Sequence, residues 1–246
     1  MMPSNNQPSG GPGAGLSLRV GLVAPLLIMA AGLAGAIMAA TLLGGSGMGL
    51  SRIVPWFYFV YAMILIGGAE ELRRRSGLDY ATLGIGWAGG SRPYLIPLLA
   101  VAGLVGFFML LDALVPIPEI LDTREVIEPF LDDGKLGFLG ILTAALLIGF
   151  LIPVGEEFLF RGFILHALVA RMPPQRAVTI TAAIFACCHV YAWLLPLGAG
   201  LYTMLQIFAL AWLLGWATLR SGSLGPAILA HCINNLAAIA FALAGY

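Results

Sequence analysis

Three short stretches in the second half of the chain place polar side chains within otherwise apolar sequence. They are Glu156-Glu157 with Arg161, Phe185 with His189, and His231 with Asn234 and Asn235. An ionisable side chain within a membrane span costs roughly 2.5–3.5 kcal/mol on insertion scales, so such residues indicate a function. Carboxylates and imidazoles transfer protons, and imidazoles and amides can stabilise an oxyanion. These residue types could supply a base, an acid and oxyanion donors to a reaction, or they could carry a proton or a cation through the membrane.

The first stretch holds two carboxylates in different positions. Glu157 and Arg161 are four residues apart, so on a helix they share one face and can neutralise each other. Glu156 lies about 100° further round and has no partner in its own helix. It must find a partner on another helix or remain protonated. We therefore expect Glu156 to be the base and Glu157 to be a structural partner of Arg161.

The chain contains a second copy of this spacing. Glu70 and Glu71 precede Arg75, and the intervening residues are Leu, Arg and Arg instead of Phe, Leu and Phe. We predict that the charged residues of this second copy form solvated ion pairs at a membrane interface. The apolar surroundings, and not the spacing alone, single out Glu156 and Glu157.

The histidines lie in two further apolar runs. Neighbouring helical residues do not face each other, so no nucleophilic dyad is expected from Cys188 and His189, and the cysteines are interpreted as small hydrophobes. His231 and Asn235 are four residues apart and share a face, and Asn234 could substitute for Asn235. Because lipid offers no hydrogen-bond partners, we expect the three polar faces to converge.

Two other polar residues are expected to lie apart from this cluster. His166 follows Glu157 by nine residues, which is about 180° on a straight helix, so its side chain should point elsewhere. Asp112 lies near the end of an apolar run and should be interfacial or bonded to a neighbouring helix.

The composition indicates an integral membrane protein. Of the 246 residues, 60% are hydrophobic and 10% are charged, and the mean hydropathy is +0.97. A typical globular domain is about 25% charged, so a soluble enzyme and a disordered chain are excluded. The net charge of zero gives no basic face for nucleic acid. The three cysteines are odd in number and lie in apolar runs, which argues against a disulfide framework.

Apolar runs near the length of a membrane crossing predict an all-α, polytopic bundle of seven to eight transmembrane helices. They are Val20–Leu43, Ile53–Ala69, Pro93–Ile117, Leu136–Val154, Ala177–Leu195, Leu201–Leu219 and Gly225–Ala244. The shorter run Phe158–Ala170 could be an eighth span or extend the Leu136 helix, bent near Pro153. Residues 1–17 are predicted to be a disordered tail, 18–135 N-terminal transmembrane helices and loops, and 136–246 the helical core that carries the motifs.

Loop charges predict the orientation. If Phe158–Ala170 does not cross separately, one side of the membrane holds nine basic residues and the other holds three. The nine are Arg19, Arg73, Arg74, Arg75, Arg92, Arg161, Arg171, Arg176 and Arg220, and the three are Arg52, Arg124 and Lys135. By the positive-inside rule, the chain crosses the cell membrane seven times with its N-terminus in the cytoplasm. The acidic loop 118–135 then faces outward.

The three stretches, in this order, resemble the motifs of the CPBP family of intramembrane proteases. That family includes the CAAX prenyl proteases and bacterial proteins linked to bacteriocin self-immunity. Its pattern is EExxxR, FxxxH and HxxxN/D on separate helices, and residues 140–240 match every motif position. The family was once classed as metalloproteases and is now usually described as glutamic-type.

The resemblance implies an integral-membrane endopeptidase that cuts a peptide near the cytoplasmic interface. Glu156 would activate water with help from His189, while His231 and Asn235 would stabilise the oxyanion and Glu157 and Arg161 would support the site. The substrate would be a peptide or a membrane protein, and CAAX-type processing of a prenylated peptide is one form of this activity.

No cofactor is expected, because the Asn235 amide beside His231 suits an oxyanion site, whereas zinc would itself polarise the carbonyl. Glu156, His189 and His231 would also make a plausible zinc ligand set, although an HExxH motif is absent. Two other functions stay open. One is a non-enzymatic immunity or binding protein of the same fold, which the intact His231 and Asn235 argue against. The other is a proton- or cation-coupled transporter, although no inverted repeat is found.

Overall fold

The computed structural model of the protein describes residues 16–86, 88–115, 128–130 and 137–244. The predicted tail up to residue 15 and the acidic loop, except for residues 128–130, lie outside the described residues. Those that are described form helices joined by short connections and contain no β-strand. This confirms the prediction of an all-α polytopic bundle.

The helices are labelled here in chain order. They are α1 (Arg19–Gly45), α2 (Leu50–Arg75), α3 (Arg92–Leu114), α4 (Gly137–Val169), α5 (Pro174–Cys188), α6 (Leu197–Ser221) and α7 (Gly225–Ala244). Among the described residues, six helices are long and apolar enough to cross a membrane, and these are all except α5. Their exposed leucines and phenylalanines are the surface expected of helices that face lipid.

Helix α4 joins two apolar runs that the sequence left separate. It is continuous over 33 residues, so Phe158–Ala170 extends the preceding helix and is not an eighth span. Pro153 lies inside it, directly after the π-helical stretch Leu147–Leu151. Proline lacks an N–H and clashes with the carbonyl four residues earlier, and a wider π turn accommodates both effects. A second π-helical stretch, Phe158–Leu165, follows Glu157.

The predicted span Ala177–Leu195 is divided at His189. Helix α5 has 15 residues and ends at Cys188, and a short 3-10 helix, Val190–Leu194, follows. The last carbonyl groups of α5 accept hydrogen bonds from residues at this break. The His189 ring bonds Phe185 O at 2.8 Å, the His189 N–H donates to Ala186 O, and the Trp193 indole donates to Cys187 O. These bonds satisfy carbonyls that a helix end otherwise leaves without partners.

The middle of α4 is the most enclosed part of the bundle. Every residue from 155 to 168 is buried. On its two sides α4 packs against α2 and α7, and its second π-helical stretch packs against α5. The fold therefore removes the EExxxR segment from both lipid and water.

Gly155, the residue before Glu156, lets α4 approach α2 closely. A Cβ atom at this position would lie 2.8 Å from Leu65 Cβ and 3.3 Å from Ile66 Cγ1. Leu65 Cβ is fixed to its backbone, so Gly155→Ala should force the helices apart and lower the free energy of unfolding by about 1–3 kcal/mol. Thermal unfolding of detergent-solubilised protein measures this. The control is Gly106→Ala in α3, whose added Cβ meets no described atom within 4 Å; equal stability of the two variants would contradict the prediction.

Candidate active site

The predicted ion pair of the EExxxR segment is present and fully buried. Arg161 Nη1 donates to Glu157 Oε1 at 2.7 Å, and both side chains are 0% exposed. Arg161 Nη2 also donates to the carbonyl oxygen of Ala211 in α6 at 2.8 Å. The guanidinium therefore ties α4 to α6 as well as neutralising Glu157. Because Arg161 is fully buried, it does not count among the surface charges from which the orientation was predicted.

His231 contacts both carboxylates of α4. Its Nδ1 lies 2.8 Å from Glu157 Oε1, and its Nε2 lies 3.9 Å from Glu156 Oε2. All three side chains are buried. The spacing of residues along one helix pairs Glu157 with Arg161 alone, because it cannot show a contact across 74 residues of chain. Glu156 thus finds its ionic partner on another helix, as its position on α4 required.

The buried charges do not balance without a shared proton. The buried cluster contains two carboxylates, those of Glu156 and Glu157, and one guanidinium, that of Arg161. These three groups together carry one net negative charge, and an uncompensated charge in a buried site costs free energy. The cluster becomes neutral when one further proton resides on Glu156 or His231. The two candidate positions for that proton, Glu156 Oε2 and His231 Nε2, are 3.9 Å apart.

His189 is linked to this cluster through the ring of Phe185. The Phe185 ring centroid lies 4.7 Å from that of His189 and 5.9 Å from that of His231, and Arg161 Cζ lies 5.0 Å from it. Because the Phe185 carbonyl can only accept, His189 Nδ1 carries the proton and donates it, which leaves Nε2 with a lone pair. The sequence pattern identified Phe185 but gave no sign that its ring would lie against both histidines.

Asn235 is held against α4. Its Nδ2 donates to the carbonyl oxygen of Ile148 at 3.0 Å, and its Oδ1 accepts from Asn234 Nδ2 at 3.3 Å. These two bonds orient the amide and leave one N–H of Asn235 for another acceptor. Ile148 contributes a backbone carbonyl, so no sequence signal could have named it.

The polar residues expected to lie apart do so. His166 Nδ1 bonds the carbonyl oxygens of Arg161 and Gly162 in its own helix, and Asp112 accepts a hydrogen bond from the Tyr202 hydroxyl at 2.5 Å. The second glutamate copy forms surface ion pairs, with Arg75 at 2.7 Å from Glu71. The three cysteines are free, and Cys232 is buried as a small hydrophobe.

The three side chains named as possible zinc ligands do not form a metal-binding group. Among the described residues, no three His, Cys, Asp or Glu side chains are placed to hold a metal ion. His231 Nδ1 lies 2.8 Å from Glu157 Oε1, and His231 Nε2 lies 3.9 Å from Glu156 Oε2. Independence from metal stays a prediction.

Residues 138–237 match the family model described as Type II CAAX prenyl endopeptidase Rce1-like. The match spans all three motifs, from Glu156 to Asn235. This region is similar to an Rce1-like domain. No curated protein and no solved structure matches the chain.

This match confirms the resemblance to the CAAX protease family. The matched family is one of proteases, and the six long apolar helices among the described residues support a multi-pass membrane protein. The match lies within the predicted core 136–246. The boundaries of that core and of residues 18–135 stay predictions.

Proposed function

We propose that the chain is an integral-membrane endopeptidase in which Glu156 activates the attacking water. The observation that carries this proposal is the different environment of the two adjacent carboxylates. Arg161 neutralises Glu157, whereas Glu156 is 6% exposed and has His231 as its one ionic partner among the described residues. A carboxylate that no guanidinium neutralises is free to accept a proton from water.

The proposed reaction is hydrolysis of an amide bond. Water attacks the carbonyl carbon as Glu156 takes one of its protons, and the same proton then passes to the leaving amine. His189 Nε2, with its lone pair, assists by accepting a hydrogen bond from the water. Atoms balance, because one water and one amide give one carboxylic acid and one amine, and Glu156 returns to its starting state.

The oxyanion that forms during the attack needs donors. The remaining N–H of Asn235 is one. The Nε2 atom of His231 is a second donor when the imidazole is doubly protonated. No metal is required by this scheme, and we propose that none takes part.

The proposed substrate is a peptide or membrane protein that ends in a prenylated CAAX sequence, as the description of the matched family suggests. We further propose that the bond is cut near the cytoplasmic interface of the cell membrane and that the N-terminus is cytoplasmic. The basic residues that the sequence analysis assigned to that side, among them Arg73, Arg74 and Arg75, support this orientation.

A peptide assay tests the proposal. Purified protein in liposomes is incubated with two quenched fluorescent peptides that share one CAAX sequence, one of them prenylated. We expect cleavage of the prenylated peptide, with unchanged rate after chelation, and no cleavage by Glu156→Ala.

The alternatives give different results. Binding of the prenylated peptide without cleavage would favour a non-enzymatic binding protein. One tightly bound zinc per chain, with activity lost on its removal and restored on its return, would overturn the metal-free scheme.

A further inference from the structure

The contact between Glu157 and His231 joins the structural ion pair to the proposed catalytic site. Glu157 Oε1 accepts from Arg161 Nη1 at 2.7 Å and lies 2.8 Å from His231 Nδ1. The other carboxylate oxygen, Oε2, has no hydrogen-bond partner among the described residues. One oxygen of Glu157 therefore receives both contacts.

The chemistry of the partners decides the direction of the second hydrogen bond. The guanidinium of Arg161 is always charged, and a buried carboxylate against it is ionised and can only accept. His231 Nδ1 must then carry a proton and donate it to Glu157. The geometry points to Glu157 as a positioning residue that fixes the Nδ1–H form of His231, so that Nε2 faces Glu156.

This arrangement gives the second glutamate of the motif a role beyond that of a structural partner for Arg161. With Nδ1 always protonated, His231 Nε2 can either accept the proton of Glu156 or, once it has done so, donate to an oxyanion. In the second state the cluster is neutral, because the two carboxylates of Glu156 and Glu157 balance the Arg161 guanidinium and the His231 imidazolium. The catalytic meaning of this inference rests on the proposed function, but the protonation of Nδ1 does not.

The chain offers a direct measurement, because it has three histidines. Nitrogen NMR of protein with isotopically labelled histidine reports which ring nitrogen of each carries a proton, and His231→Gln identifies the His231 signals by their loss. His166 and His189 serve as internal references, because their Nδ1 atoms face backbone carbonyls that can only accept. In the wild-type protein we expect a proton on Nδ1 of His231.

The informative variant replaces the buried pair together. Glu157→Leu combined with Arg161→Met removes the acceptor without leaving one buried charge alone. In this variant we expect the His231 proton on Nε2, toward Glu156, with the His166 and His189 signals unchanged.

Two results would overturn the inference. One is a wild-type His231 with no proton on Nδ1, a measurement that needs no folded variant. The other is an unchanged Nδ1 proton in the double variant. Because neither result depends on peptide cleavage, failure of this inference can be distinguished from failure of the proposed protease activity.

Discussion

Glu156→Gln should abolish peptide hydrolysis and leave the fold intact. Glutamine has nearly the same shape but cannot accept a proton from water, and loss of a general base reduces turnover by about 10²–10⁴-fold. The unfolding temperature should be unchanged, because Glu156 has no guanidinium partner and its Oε2 lies 3.9 Å from His231 Nε2. The measurements are peptide turnover and thermal unfolding of the same preparation.

The neighbouring glutamate is the matched control for this prediction. Glu157→Gln leaves the Arg161 guanidinium buried against a neutral amide, so it should reduce stability at least as much as it reduces turnover. If Glu156→Gln cleaved peptides at the normal rate, Glu156 could not be the base.

Arg161→Met should be among the most destabilising substitutions in the chain. It leaves the buried Glu157 carboxylate without its cation and Ala211 O without its donor. Breaking a buried ion pair by removal of one partner costs about 3–5 kcal/mol. We expect a lower yield of folded protein and a lower unfolding temperature in detergent.

The second copy of the motif provides the control. Arg75→Met removes the same interaction from the pair with Glu71, but Arg75 is 78% exposed and Glu71 is 52% exposed, so water solvates the glutamate left behind. Its unfolding temperature should be that of the wild type. The paired variant Glu157→Leu with Arg161→Met should recover part of the lost stability. Equal effects of Arg161→Met and Arg75→Met would refute the burial argument.

The sequence predicted those features that depend on composition and on neighbours within one helix. Hydropathy predicted the helical membrane bundle, because an isolated backbone in lipid must satisfy its own hydrogen bonds. Helical periodicity predicted the Glu157–Arg161 pair, and the apolar residues between them distinguished this copy from the surface copy at Glu71 and Arg75.

Breaks and irregular turns within helices were not predicted from the sequence. The end of α5 at Cys188 depends on a histidine ring and a tryptophan indole that bond its last carbonyls. The continuity of α4 through Pro153 depends on a π-helical stretch that hydropathy does not reveal. Neither feature produces its own periodic pattern of apolar and polar residues in the sequence.

By itself, then, the sequence determined the protein class, the membrane setting and the residue types of the candidate site, since these follow from side-chain chemistry and spacing. Only the tertiary structure decided which groups meet across helices. It placed His231 between Glu156 and Glu157, the Phe185 ring against both histidines, and Asn235 on a carbonyl of α4. The physical reason is that a helical repeat fixes the face a residue occupies, whereas helix packing fixes which face lies opposite.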